Sequence, residues 1–150
     1  DTGTIPATGA GVRMMWFPSL YAFRAGKVES FGATYWDLVN IGYGSAAFGE
    51  NPRASGSNSF AAGLATTASG DESVALGNNG TASADRALTF NGTASAVGAI
   101  ALGSGAQATS DDASASAAMT LHMYPARANG AASSSRNVCV GMVIIGNKRR

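Results

Sequence analysis

Ser45-Ala-Ala-Phe-Gly49, Ser59-Phe-Ala-Ala-Gly63, Ser73-Val-Ala-Leu-Gly77, Ala87-Leu-Thr-Phe-Asn91 and Ala99-Ile-Ala-Leu-Gly103 are one pentapeptide written five times, with starts 14, 14, 14 and 12 residues apart. Each is followed by a second short block: Arg53-Ala-Ser-Gly56, Thr67-Ala-Ser-Gly70, Thr81-Ala-Ser-Ala84, Thr93-Ala-Ser-Ala96 and Gln107-Ala-Thr-Ser110. A stretch that looks like low-complexity Ala, Gly, Ser and Thr therefore has a register. A fixed period of this length marks a repeat architecture in which each coil stacks on the last.

Alternation within a strand sends positions 2 and 4 of the pentapeptide to one face and position 3 to the other. Position 3 is Ala47, Ala61, Ala75, Thr89 and Ala101; the second block repeats Ala54, Ala68, Ala82, Ala94 and Ala108. Small residues at both places suit the inside of a thin roll, so these alanines are the expected interior. Position 5 is Gly49, Gly63, Gly77, Asn91 and Gly103. Gly with Asn as the sole substitute predicts a corner with positive φ. The one short spacing falls in a corner and leaves both strands intact.

Positions 2 and 4 carry the larger apolar residues: Phe60, Val74, Leu76, Leu88, Phe90, Ile100 and Leu102. With an alanine-lined interior they face outward as a continuous apolar stripe, which marks an interface. Side-by-side association of three copies about a common axis would bury it, so these seven residues are the expected trimer contact.

The flanks read differently. Residues 11–41 hold the most apolar and aromatic stretch, with a strand expected over 13–17, a break at Pro18-Ser19 and a second strand or short helix over 21–28. They are expected to end the array or join it to a preceding domain, an aromatic ligand platform being the functional alternative. After Asp111-Asp112 the pattern decays through a half-coil at 113–117. Two β-rich runs, 120–124 and 137–145, are candidates for a closing hairpin. The expected organisation is 1–44 as lead-in, 45–118 as the repeat roll and 119–150 as a β-rich C-terminal segment with a basic tail.

Composition limits the function classes. The 150 residues carry a net charge of +1, against nucleic-acid binding. The repeats hold a net −4 and residues 119–150 a net +5, a basic tail read first as solvated. No apolar run reaches membrane-span length. His122 is the only histidine and Cys139 the only cysteine, so one chain holds neither a His-based metal cluster nor a disulfide. Neither has a local partner for catalysis, and Asp71-Glu72 and Asp111-Asp112 fall at corners and read as solvated turns. Calcium-roll and phosphate-loop motifs are missing, so no cofactor, metal or catalytic residue is expected. The file Arg53, Thr67, Thr81, Thr93 and Gln107 is interrupted at both ends and one residue wide, which argues against an ice-ordering face.

The repeat Ser-Val-Ala-Leu-Gly-x-x-x-x-Ala-Ser-x at residues 73–84 closely resembles the head repeat of YadA-like trimeric autotransporter adhesins, and the likeness covers residues 45–112. The segments Gly9-Ala-Gly-Val-Arg-Met-Met-Trp16, Ala22-Phe-Arg-Ala-Gly26, Trp36-Asp37 and Asn40-Ile-Gly42 look like the lead-in to such repeats in bacterial surface and phage tail-fibre-like proteins. The resemblance implies an all-β, left-handed parallel β-roll, a homotrimer with β-rich caps, and display outside the cell to bind host matrix, a glycan or a cell-surface receptor. No neck, coiled-coil stalk or membrane-anchor barrel is written in these residues, as expected of a fragment or of a fibre that reuses the head repeat. The expected role is non-enzymatic attachment at a bacterial surface, with a structural segment of a phage virion fibre or surface appendage as the alternative. An enzyme acting on surface glycans is a further rival, which would need carboxylates clustered in a groove between copies.

Overall fold

The structure is a computed structural model and describes residues 8–117. The expected runs at 120–124 and 137–145, His122, Cys139 and the basic tail lie outside the described residues. Each coil contributes two strands. The longer ones are β3 (Ala46–Glu50), β5 (Phe60–Leu64), β7 (Val74–Asn78), β9 (Leu88–Phe90), β11 (Ile100–Leu102) and β13 (Ser114–Ser116). The shorter are β4 (Arg53–Ala54), β6 (Thr67–Ala68), β8 (Thr81–Ala82), β10 (Thr93–Ala94) and β12 (Gln107–Ala108). Both sets stack as parallel strands, residue for residue with the repeat, so that Ala47 pairs with Ala61 and Ala61 with Ala75. The chain is an all-β, short-coil β-solenoid of about five turns.

The two sheets face each other across a column of alanines. Ala47, Ala54, Ala61, Ala68, Ala75, Ala82, Ala94, Ala101 and Ala108 are 0–1% exposed. Thr89 takes the place of one alanine and is also fully buried. Its presence has a local cause. Coil four turns its first corner with Asn91 and Gly92 alone, and Thr89 Oγ1 accepts the Gly92 N–H at 3.0 Å. The hydroxyl satisfies a buried donor that the tighter turn would otherwise strand.

Corners follow the expected conformation: φ is 115° at Gly49, 127° at Gly63, 90° at Gly77, 57° at Asn91 and 104° at Gly103. At Gly63 a second constraint operates, because a Cβ there would overlap the Gly77 carbonyl oxygen in the coil above.

The residues before the repeats continue the larger sheet. β1 (Gly11–Phe17) and β2 (Ala22–Val28) pair antiparallel around a 3-10 turn at Pro18–Leu20. Pro18 has the φ that such a turn needs and lacks the N–H it would leave idle. The segment read as strand or helix is thus a strand, held there because β2 pairs in parallel with β3 along Phe23–Ala46 to Lys27–Glu50. Its inward residues build a second core of Met15, Phe17, Ala22, Val28, Trp36 and Ile41. Trp36 is fully buried, donates Nε1–H to Pro52 O at 3.0 Å, and has the Arg13 guanidinium 5.4 Å from its ring centre.

Arg24 stands next to Ala47 in register, at the end of the alanine column. It is fully buried. Its guanidinium donates to Phe23 O at 2.8 Å, Ser45 O at 3.0 Å, Ser45 Oγ at 2.8 Å and Ala54 O at 2.8 Å. β4 is the last strand of the smaller sheet, and Ala54 O takes its backbone donor from a loop residue, Gly42, at 3.1 Å. Arg24 fills that end of the roll and adds a charged donor to carbonyls that each accept one backbone N–H already, Ser45 O from Phe23 at 3.0 Å and Ala54 O from Gly42. Burial pushes its pKa down to about 10, so it stays charged at neutral pH.

Candidate interaction face

The outer face of the larger sheet is built by the repeat itself. One column, in pairing order, is Trp16, Phe23, Ala46, Phe60, Val74, Leu88 and Ile100; the other is Met14, Ala25, Phe48, Ala62, Leu76, Phe90 and Leu102. The seven residues singled out from the repeats all lie in these two columns. Phe60, Val74, Leu76, Leu88 and Ile100 are partly covered by their neighbours, while Phe90 is 49% and Leu102 47% exposed.

Three aromatic residues form a zigzag across the columns. Phe23 and Phe48 have ring centres 5.4 Å apart, and Phe48 and Phe60 5.7 Å, tilted at 39° and 41°. Alanine sits beside each of them in the other column: Ala25, Ala46 and Ala62. Over β2, β3 and β5, large and small residues alternate from strand to strand within each column.

β1 adds Val12, Met14 and Trp16 to the same face, exposed by 79%, 75% and 50%. They belong to it because directly paired residues point the same way, and Trp16 pairs with Phe23 and Met14 with Ala25. These three, with Phe23 and Phe48, join the face beyond the seven residues expected from the repeats. The signal was the alternation Val12-Arg-Met14-Met-Trp16, whose register against the first coil the sequence does not state. The seven strands that carry these columns, at about 4.8 Å spacing, make a face roughly 29 Å long, beyond which β13 presents Ser114 and Ser116. Its long edge carries Lys27, whose Nζ lies 2.6 Å from Glu29 Oε1 and 3.7 Å from Glu50 Oε1.

The acidic corners are exposed, and two of their residues are also structural. Asp71 Oδ1 accepts the Ser57 N–H at 2.8 Å and Asp111 Oδ1 the Val97 N–H at 3.2 Å. The reading of these carboxylates as merely solvated turns is thus incomplete. Among the described residues no group of three or more His, Cys, Asp or Glu side chains is placed to hold a metal ion. No helix among them is long and apolar enough to cross a membrane.

Fold and face together define a repeat β-solenoid that is apolar along one side. No family model, curated protein or solved structure matches the chain.

Proposed function

We propose that this chain is a rigid, non-catalytic head module of an extracellular attachment protein. Its roll is left-handed and three copies close around the outer face of the larger sheet, with the residues before the repeats ending the array. The observation that carries the reading is the apolar face from Trp16 to Leu102. Fully covering one Leu, Val or Phe side chain contributes about 1.5–3 kcal/mol, so a face that carries several of them favours association over exposure to water. A second copy presents the same row, and closed rotation buries every copy equally. The resemblance of residues 73–84 to adhesin head repeats supports display at a bacterial surface.

Sedimentation equilibrium tests the assembly. A mass of three chains is expected, and Val74→Asp, which places three unpartnered charges near one axis, should give a folded monomer with unchanged far-ultraviolet circular dichroism. A monomeric parent protein would refute the trimer. Binding of the intact chain to a panel of matrix proteins, glycans and cells tests attachment. An elongated trimer that binds nothing on that panel would instead be a spacer segment of a fibre.

A further inference from the structure

The short corner of coil four opens a notch in the side of the solenoid. Elsewhere the first corner has four residues: 49–52, 63–66, 77–80 and 103–106. In coil four only Asn91 and Gly92 are present. The gap between the corners of coils three and five is about 410 Å³, within the range of small-molecule clefts. Its side chains are those of Asn78, Asn79, Asn91, Thr93, Ser104 and Gln107, with Gly92, Gly105 and Ala106 completing the wall.

Backbone groups also converge there. In the lower coils each corner bonds to the one beneath: Ala65 N–H donates to Glu50 O at 2.8 Å and Asn79 N–H to Leu64 O at 2.9 Å. The next donor, which would reach Asn78 O, is one of the two residues coil four lacks. The carbonyl that would receive the Gly105 N–H is missing for the same reason. Asn91 repairs part of the gap, since its Oδ1 accepts the Asn78 N–H at 2.5 Å. What remains is a recess with a backbone acceptor, a backbone donor, four primary amides and two hydroxyls.

We propose that this notch binds a neutral, polyhydroxylated ligand, one saccharide unit of a glycan. The lining holds no charged residue, which disfavours phosphate, sulfate and sialic acid. Primary amides offer donor and acceptor together, as do neighbouring sugar hydroxyls, and the two orphaned rung positions offer one of each. No aromatic ring lines the notch to stack on a sugar face, so a single site is weak, with a dissociation constant on the order of 1 mM. The proposal supplies the attachment reading with a ligand class and rests on it for the use of the site. A sugar filling the notch of a chain that adheres to no surface would refute attachment and leave the site standing.

The test is amide NMR on the full chain, titrated with galactose, glucose, mannose and N-acetylglucosamine and their neutral oligosaccharides, then with sialylated and sulfated forms. At least one neutral sugar should move the Asn78, Asn79, Gly105 and Gln107 amides in a saturable way. Gln107→Ala and Asn79→Gly, the latter keeping the left-handed backbone at φ 56°, should each weaken binding three- to ten-fold. An Asn-Asn insertion between Asn91 and Gly92 restores the four-residue corner and should abolish binding. If that insertion unfolds the protein, Ser104→Trp obstructs the same recess from its exposed rim. The proposal is overturned if no neutral sugar shifts these amides, if binding survives a folded variant with the recess filled, or if acidic glycans bind more tightly than their neutral parents.

Discussion

Asp85 sits one coil above Asp71, and its Oδ1 accepts the Asp71 backbone N–H at 3.0 Å. Asp71 does the same for Ser57 below it, and Asp111 for Val97. Together these bonds satisfy corner N–H groups that lie outside the strand ladders. The arrangement places like charges in consecutive coils, which it tolerates because the carboxylates are exposed to water. Replacing Asp85 with Ala should cost about 1 kcal/mol in urea denaturation, and Asp85→Asn less, since an amide oxygen still accepts. An Asp85→Ala variant as stable as the parent would show that water replaces the bond without loss.

Arg24 is a fully buried charge whose guanidinium touches both sheets. Arg24→Met fills similar space but takes one charged donor from each of Ser45 O, Ser45 Oγ and Ala54 O, which keep only their bonds with Phe23 N–H, Gly42 O and Gly42 N–H. The expected loss is about 3 kcal/mol, measured by denaturant midpoint. Arg24→Lys should recover little, because a single ammonium cannot span acceptors on both sheets as the planar fork does.

The corners store a small amount of strain that can be released. Ala65 and Arg86 hold φ of 52° and 58°, in the left-handed region that costs a Cβ-bearing residue about 1–2 kcal/mol. Ala65→Gly and Arg86→Gly should each stabilise by about 0.5 kcal/mol once the added flexibility of the unfolded chain is subtracted. Gly63→Ala should do the opposite by about 3 kcal/mol or more, because its Cβ meets the next coil's carbonyl. Thermal midpoints of the three variants would separate these effects.

The Lys27–Glu29 pair gives a signed pH dependence. The hydrogen bond from Lys27, then that from Asn51, holds the Glu29 carboxyl below its ordinary value, and Glu29 holds the Lys27 ammonium above its own. Glu29 therefore adds stability above the ordinary glutamate range and loses it as pH falls through its lowered value. Lys27 adds stability below the ordinary lysine range and loses it as pH rises past its raised value. Carbon-detected NMR titration should find the Glu29 midpoint below that of an unpaired glutamate, moving back up in Lys27→Met. Both groups are exposed, so salt should shrink the difference.

The repeat is legible in the amino-acid sequence because stacking makes each coil answer to its neighbours. One alanine column and one corner conformation recur in every coil, at spacings of 14, 14, 14 and 12 residues, and a recurring physical demand shows in the chain as self-similarity. The alternation at Val74-Ala-Leu76 and Ile100-Ala-Leu102 likewise separates two faces without further help. Segments that occur once carry no such record. Trp16 joins the outer face only through its pairing with Phe23, a register fixed by the packing of Met15, Phe17 and Trp36. Nothing in the local sequence distinguishes Arg24, which looks like a surface charge until the carbonyls that surround it are in place.

A β-solenoid, its period, its corners and the alternation that gives its larger strands an apolar side are all written in the chain, because each follows from nearest-neighbour stacking. How far that side extends beyond the repeats, which charge closes the alanine column, and where the missing corner residues leave an opening emerge once the chain is folded. Those depend on contacts between segments that share no pattern, and on backbone donors and acceptors that are the same at almost every residue and become distinct only by position.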